Sequence, residues 1–448
     1  MKNSKKVWQK NSPLDAEVEQ FTIGKDLQLD DLLARWDVIG SLAHSAMLRK
    51  VGLLDENIHQ KLQNGLKQIL RQIDSGSFRF EPGVEDIHSQ VELLLTKMDA
   101  EAGARLHTGR SRNDQVLVDL RLFVRAEIKK IVELVRALFD LLIHLSEQYK
   151  DVLLPGYTHL QIAMPSSFGL WLAAFAESLV DDLIQLQAAY RLVNKNPLGS
   201  AAGYGSGFPL DRQMTARLLG FDELNVNSVY AQMTRGKMER VVAQALGGIA
   251  ETLSKLAMDL VLYQSQNFGF VKFPESITTG SSIMPHKKNP DVFEILRARC
   301  NRLKTLPVQI QMVANNLPSG YHRDFQITKE QFLPAFQDLK ECLTILIHVL
   351  PKMEVNRQIL KDETYRTLFT VEAVNEQVKK GAPFREAYRQ VAEEVSKGLF
   401  KPPEKAHYSH EGSIGNLANA QIKRQMQSIL KEFNFEKWQR ALEKLTAD

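Results

Sequence analysis

The chain has 448 residues, of which 44% are hydrophobic and 25% charged, and its formal net charge is +4. This balance excludes a disordered or fibrous protein, and a chain of this length can bury a large core in two or three domains. Charged residues interrupt every apolar stretch, so no transmembrane helix is expected. No long basic run is present, so nucleic acid is not an expected partner, whereas anionic substrates are compatible with the charge.

Two features of the sequence predict a cytoplasmic location. The first six residues are basic, but no apolar segment follows them, so they do not form a secretory signal. Cys300 and Cys342 are the only cysteines, which are too few for a disulfide framework or a thiolate metal site. We therefore expect both thiols to be reduced and packed.

Apolar residues that recur at helical spacing predict a series of amphipathic helices. Two shorter helices come first, over residues 34–50 and from an Asp55 cap to a stop at Ser75-Gly76. The five long helices that follow are expected at residues 114–150, 166–191, 228–266, 291–313 and 324–350. No convincing alternating strand separates them, which indicates an all-α protein with a central long-helix bundle.

The apolar stripes on the long helices are wider than one antiparallel neighbour would cover, which predicts that subunits share the bundle. Shorter elements, punctuated by glycine and proline, follow residue 350. We therefore expect an N-terminal helical domain over 1–107, a central bundle domain over 108–350 and a C-terminal helical domain over 351–448.

Residues 280–290, with the sequence GSSIMPHKKNP, are the longest run that helix formation or core packing does not explain. A glycine and two prolines, two adjacent serines and two lysines indicate a loop that presents its polar atoms to a ligand. The alternative is an ordinary solvated connection between helices. That alternative is less favoured, because a turn does not require so many special residue types together.

The run HTGRSRNDQ lies immediately before the longest predicted helix. Ser111, Asn113 or Asp114 can cap this helix, and its exposed N–H groups, with Arg110 and Arg112, favour a bound carboxylate. Simple capping with surface arginines is the alternative. Capping accounts for one residue but not for two arginines, a histidine and an amide together.

Two more runs carry candidate polar groups. In PGYTHLQ, His159 alone would be an ordinary loop histidine, but Thr158 beside it adds hydrogen-bonding capacity at the end of a rigid element. In YHRDFQITK, Tyr321 precedes a helix on which Gln326 and Lys329 share a face. The alternative for this second run is a solvated first turn.

Two further patterns do not indicate a ligand. The glycine-rich stretch at 196–209 follows a helix rather than a strand and lacks the dinucleotide fingerprint, so close backbone approach to a helix or a substrate explains its glycines better. His407 and His410 are the only closely spaced histidine pair, and they have no third ligand. No metal site is predicted.

Together, these runs resemble the argininosuccinate lyase family of the fumarase/aspartase lyase superfamily. The serine loop is similar to the GSSxMPxKxN segment of the whole superfamily, whereas HTGRSRNDQ and GYTHLQ resemble that family specifically. The similarity covers nearly the whole chain, including DVIGS at 37–41 and EDIH at 85–88. It implies an all-α homotetramer, with sites shared between subunits, that cleaves argininosuccinate to arginine and fumarate in arginine biosynthesis. The reaction is a proton abstraction with C–N elimination and takes no cofactor.

The resemblance also implies roles for individual residues. Ser281 resembles the catalytic base, His159 the catalytic histidine with Glu294 as its carboxylate partner, and Lys287 the lysine that supports the negatively charged intermediate. Arg112, at the helix start, is expected to bind substrate. The other positions that match substrate-binding residues of the family are Ser41, Asn113, Thr158, Asn289, Tyr321, Gln326 and Lys329.

Two stretches depart from the family's pattern. Residues 7–12 keep only the tryptophan of the usual Trp-Gly-Gly-Arg-Phe segment, and residues 227–237 lack the acidic residues usual around the matching arginine. Two alternatives stay open: a lyase for another fumarate adduct (adenylosuccinate, aspartate or malate), or a structural protein like the family's lens delta-crystallins. The intact Ser281 and His159 argue against a purely structural role.

The length of the longest helix predicts how the site is assembled. If 114–150 is one straight helix, its ends are roughly 55 Å apart at about 1.5 Å per residue. Asn113 and His159 then lie at opposite ends. The helix from 228 to 266 returns along the bundle, so Ser281 is expected at the His159 end. Asn113 and Ser281 should therefore come from different subunits, as the resemblance implies. Geometry alone does not decide whether His159 and Ser281 share one subunit.

Overall fold

The computed structural model describes residues 15–403 and 408–447, which are mainly helical. The α-helices are α1 Ala16–Ile23, α2 Asp26–Asp30, α3 Ala34–Lys50, α4 Glu56–Asp74, α5 Ile87–Met98, α6 Ala100–Arg105, α7 Arg112–Gln148, α8 Phe168–Val193, α9 Arg212–Leu218, α10 Ser228–Met233, α11 Lys237–Gln264, α12 Asp291–Leu303, α13 Leu306–Val313, α14 Phe325–Val349, α15 Thr370–Lys379, α16 Phe384–Ser396, α17 Asn419–Glu432 and α18 Phe435–Thr446. The strands are β1 Leu153–Thr158, β2 Gln161–Ser167, β3 Lys195–Asn196, β4 Glu223–Leu224, β5 Val271–Lys272 and β6 Glu354–Val355. The predicted all-α class is confirmed.

The long helices α7, α8, α11, α12 and α14 form the central bundle, as the apolar periodicity predicted. α7 packs against α8 and α14, while α11 packs against α8, α12 and α13. Their inward side chains form one continuous core, in which the rings of Phe123 on α7 and Phe336 on α14 meet edge to face at 5.6 Å. Burial of these apolar faces stabilises the bundle.

Two of the predicted long helices are each divided in the structure. The stretch predicted at 228–266 divides into α10 and α11, because Gly236 between them adopts φ = +73°, a left-handed conformation that ends a helix. The stretch predicted at 291–313 divides into α12 and α13, with Pro307 near the start of the second helix. The apolar period continues across both breaks, which is why the sequence pattern did not predict them.

Two buried arginines join α7 to its neighbours. Arg121 donates hydrogen bonds from Nη1 to the carbonyls of Leu192 (2.7 Å) and Val193 (3.1 Å) at the end of α8. Arg125, one turn later, lies 4.6 Å from the ring centre of Phe221. Because the end of α8 meets the beginning of α7, the two helices are antiparallel.

The N-terminal helices α3 to α6 bury a second apolar core beside the bundle. The last two helices pack on earlier parts of the chain, α17 on α8 and α18 on α3 and α9. Among the described residues, none of the helices combines the length and the apolar character needed to cross a membrane.

The expected absence of strands is wrong between α7 and α8, where β1 and β2 form an antiparallel hairpin. Its pairing closes at Thr158 and Gln161, so His159 and Leu160 form a two-residue turn with φ of +54° and +56°. Both residues are left-handed, as a type I′ turn requires. The strands contain prolines, a glycine and an irregular register, which hide the alternation that predicts a strand.

Candidate active site

Five of the predicted substrate-binding residues line one cavity of about 190 Å³. They come from the first turn of α7, from the segment just before α14 and from the first turns of α14; the two helices pack against each other in the bundle. The residues are Arg112, Asn113, Tyr321, Gln326 and Lys329. The structure thus brings together two runs that are more than 200 positions apart in the sequence.

The first turn of α7 is held by a reciprocal capping box. Ser111 is the cap, and the side chain of Asp114 accepts a hydrogen bond from the Ser111 N–H at 2.9 Å. The other carboxylate oxygen of Asp114 accepts from Gly199 N (2.9 Å) and Ala201 N (3.0 Å), which explains the close backbone approach of the glycine-rich stretch. Asn113 is therefore not needed as a cap, and its amide faces the cavity.

Arg112 is fixed from the side by the beginning of α5. Its Nε lies 3.1 Å from Oδ2 of Asp86, the cap of α5, and its Nη2 donates to Ser89 Oγ at 2.7 Å. Ser41, another predicted substrate-binding residue, is fully buried and does not line the cavity. Its hydroxyl instead accepts a hydrogen bond from Arg110 at 2.9 Å.

The polar groups of α14 contact the N-terminal segment of the chain. Gln326 Nε2 donates to the carbonyls of Thr22 (2.9 Å) and Ile23 (3.1 Å), and Lys329 forms ion pairs with Asp30 (2.8 Å) and Asp26. Burial opposes the charge of Lys329, but the two carboxylates outweigh this effect and raise its pKa. A substrate carboxylate that binds Lys329 therefore competes with both aspartates.

The arginine in the atypical stretch 227–237 has a carboxylate partner that its flanking residues did not suggest. Arg235 Nε pairs with Glu239 Oε1 at 3.0 Å, four residues later, and Nη2 donates to the Phe325 carbonyl at 2.9 Å. Both charged side chains are only 1% exposed. Glu239 thus supplies a charge that the residues flanking Arg235 lack, and the arginine lines the cavity.

The serine loop is closed at its base by an antiparallel bridge between Thr279 and Asn289. The Asn289 N–H donates to the Thr279 carbonyl at 2.8 Å, and the Asn289 side chain donates to the Gly280 carbonyl at 3.2 Å. Inside the loop, Ser281 Oγ accepts the backbone N–H groups of Ile283 (3.3 Å) and Met284 (3.2 Å). Donors aimed at this oxygen favour its deprotonated form.

The other predicted catalytic groups are exposed on a single chain. His159 and Thr158 lie at the tip of the hairpin, while Lys287 lies in the serine loop and Glu294 in the first turn of α12. Among the described residues of one chain, Glu294 forms no ion pair with His159. The two were expected to be partners, and one chain does not bring them into contact.

The hairpin and the serine loop belong to the same end of the bundle. Tyr157, in β1, meets Phe268 edge to face at 5.3 Å, just beyond the end of α11. α12 runs antiparallel to α11, since Ser254 contacts Asn301 at 3.0 Å and Met258, one turn later, contacts Arg297 at 2.8 Å, one turn earlier. The loop before α12 therefore also lies near the end of α11. The cavity lies at the other end, because α7 has 37 residues and is about 55 Å long.

Three comparisons place this geometry among known proteins. A family model described as Lyase matches residues 8–304. The argininosuccinate lyase of Parabacteroides distasonis is 58% identical over 442 residues, which are 99% of this chain and 99% of the relative. That of Phocaeicola vulgatus is 57% identical over 432 residues, 96% of this chain and 97% of the relative.

The fold is also similar to that of a solved structure, EDDS lyase in complex with formate. The TM-score is 0.76 at 22% identity, over 97% of this chain and 94% of that chain. This likeness concerns the fold alone and agrees with the central helical bundle. On the family match and the near full-length identity, the chain belongs to the argininosuccinate lyase family of lyases.

Proposed function

We propose that this chain cleaves argininosuccinate to arginine and fumarate, as a cytoplasmic step of arginine biosynthesis. Membership of the argininosuccinate lyase family supports the substrate. The observation that carries the chemistry is the pair of backbone N–H groups that donate to Ser281 Oγ. A serine hydroxyl is a poor base, so these donors matter because they stabilise the alkoxide that would accept the proton.

Removing a proton from the carbon beside a carboxylate places a second negative charge on that group. The site must stabilise this charge as it develops, and positive or dipolar groups do so. Lys287 in the serine loop is proposed for this role, with Asn289 as a substrate-binding residue. The C–N bond then breaks and its electron pair leaves with the nitrogen of the arginine half, which takes up a proton to give the guanidinium group. The succinate half becomes fumarate. His159 and Glu294 are proposed as the other catalytic residues at this end of the bundle.

We further propose a homotetramer in which each site takes residues from more than one subunit. One end of α7, which is about 55 Å long, lies beside the cavity residues Asn113, Tyr321, Gln326 and Lys329. The loop that contains Ser281 lies at the other end of the bundle. A small substrate cannot contact both ends of one chain. An antiparallel neighbour would bring its Ser281 end beside this chain's cavity, which completes the site.

The test is a substrate panel. Argininosuccinate, adenylosuccinate, aspartate and malate are offered separately, without added cofactor, and fumarate is followed by its ultraviolet absorbance. We expect fumarate only from argininosuccinate. Release from another member of the panel instead would assign the chain to a different fumarate adduct. No turnover of any compound by folded protein would favour a structural role, as in the lens delta-crystallins.

A further inference from the structure

A buried cluster of charged groups lies directly beneath the cavity. His88, the second residue of α5, donates from Nδ1 to Asp37 Oδ1 on α3 at 2.6 Å, and the same nitrogen lies 3.7 Å from Asp119 Oδ2 on α7. Both aspartates are 1% exposed, and the side chain of His88 is 9% exposed. Three different helices thus converge on one imidazole ring.

The three side chains have a composition that could suggest a metal site, but their spacing indicates an ion pair. Ligand atoms on a tetrahedral zinc ion, at about 2.0–2.2 Å from the metal, lie about 3.3 Å from one another. The 2.6 Å between His88 Nδ1 and Asp37 Oδ1 is instead a short charge-assisted hydrogen bond. The cluster therefore holds a charged imidazole in place.

The surroundings favour the positive charge of His88. Burial opposes it, but Asp37 and then Asp86 and Asp119 outweigh burial and raise the pKa of His88 to about 9. Burial, together with Asp37, raises the pKa of Asp119 well above its ordinary value, so Asp119 binds a proton more readily. Arg110 lies in the same cluster. Two cations, His88 and Arg110, therefore lie among the carboxyl groups of Asp37, Asp86 and Asp119.

The ring of His88 lines the cavity with its second nitrogen unclaimed. Nδ1 is held by Asp37, and Nε2 donates to none of the residues that the structure describes. The other cations of the cavity already have acidic partners in the described chain. These are Lys329 with Asp30, Arg112 with Asp86, Arg235 with Glu239 and Arg323 with Glu85. His88 Nε2 is thus a donor left for an anionic ligand, and Nη1 of Arg235, which is buried without a hydrogen-bond partner among the described residues, is a second.

We propose that His88 is a substrate-binding residue whose Nε2–H donates to a substrate carboxylate in this cavity, with Asp37 and Asp119 as positioning residues. The inference rests on the proposed function, because argininosuccinate carries carboxylates on both its succinate half and its arginine half. With either half of the substrate, the charged imidazole of His88 would bind a carboxylate. Fumarate and arginine, titrated separately, distinguish the two halves.

The experiment measures dissociation constants for fumarate and for arginine by calorimetry with the full-length wild type and His88→Gln. A hydrogen bond between charged partners is worth enough that we expect the ligand from the contacted half to bind about 10- to 100-fold more weakly. The matched control is His59→Gln on the half-buried face of α4, outside the cavity. Unchanged constants for both ligands in folded His88→Gln would overturn the proposal.

A second variant keeps the test decisive if His88→Gln does not fold. Asp37→Asn removes the carboxylate that holds His88 charged, so its ligand binding should approach the wild-type constant near pH 6 and weaken by pH 8.5. The groups that face His88 are Asp37 on α3, Asp119 on α7 and Asp86 on α5, with Arg110 and His107 beyond them. The proposal would be overturned if the dissociation constants of Asp37→Asn and the wild type changed in parallel between pH 6 and pH 8.5.

Two controls separate the causes. The double variant Asp37→Asn/His88→Gln lacks the imidazole, so it should lose the extra pH dependence. If that dependence persists, it comes from a group other than His88 and the proposal fails. A wild-type protein that binds neither ligand overturns the proposed function and this inference together, whereas a wild type that binds them and an equally tight His88→Gln overturns this inference alone.

Discussion

Ser281 is the residue on which the proposed chemistry depends most directly. Ser281→Ala removes one half-buried hydroxyl from a loop, so we expect the fold and the affinity for argininosuccinate to persist while turnover falls by at least about 100-fold. Steady-state kinetics and calorimetry measure the two effects. The matched control, Ser282→Ala, changes the exposed neighbour and should lose far less activity. Near-normal turnover by Ser281→Ala would remove this residue as the base.

The buried pair of His88 and Asp37 predicts a pH dependence of stability. Because the pKa of His88 rises from 6.5 to about 9 on folding, its stabilisation is complete below about pH 6.5 and is lost as pH rises through 9. The shift in the pKa of His88 corresponds to about 3 kcal/mol in the free energy of unfolding. Denaturant unfolding should show that the wild type loses this much more stability than His88→Gln between pH 6 and 10. Parallel curves would contradict the prediction.

The predicted residues that line the cavity could be recognised in the sequence where the signal is local. Gln326 and Lys329 share a helix face at i and i+3, and Asn113 stands beside a capping serine, so short runs of sequence indicate them. Their partners are not local, since Lys329 and Asp30 are 299 positions apart. The cluster around His88 was not predicted for the same reason: the EDIH run was noted, but only the fold brings Asp37 and Asp119 to the ring.

At the scale of single elements, Gly236 fixes the break between α10 and α11. Its φ is +73°, and a Cβ there would lie 2.8 Å from Ala314 Cβ and 3.1 Å from the ring of Phe325. We expect Gly236→Ala to lower the free energy of unfolding by roughly 2–3 kcal/mol, from backbone strain and this contact together. Gly207→Ala is the control, since its Cβ would meet nothing within 4 Å. Equal stability of the two variants would contradict this account.

The predicted and the observed elements agree best where the helices are long. The long helices α7, α8 and α14 follow from apolar periodicity sustained over many turns. The hairpin does not, because its strands carry prolines, and its His159-Leu160 turn uses left-handed residues that are not glycine or asparagine. Such conformations cost free energy and cluster where function requires a fixed geometry.

For the whole molecule, we propose a division into domains at residues 1–107, 108–350 and 351–448. A separate small core of Val374, Ala387, Val391 and Phe400 supports a C-terminal unit. The Trp8 segment and His407 lie outside the described residues, so the structure adds nothing to the interpretation of either.

The shared-site proposal predicts complementation between two inactive proteins. Asn113→Ala and Ser281→Ala are mixed, their subunits are exchanged, and argininosuccinate cleavage is assayed. Random hybrids should regain about a quarter of the wild-type sites, because each residue of a site comes independently from either parent. A wild-type sample taken through the same exchange is the control. No recovery after demonstrated exchange would refute the shared-site model.

The length of α7 also links catalysis to concentration. The cavity and the serine loop of one chain lie too far apart to act on one substrate. If they meet only across an interface, a dissociated chain carries both groups of residues but is inactive. Specific activity should then decline on dilution by mass action, and substrate, which bridges the two chains, should protect against that decline. The specific activity and the sedimentation coefficient, measured over the same dilution series, should fall together. A fully active dilute monomer would show that one chain is sufficient.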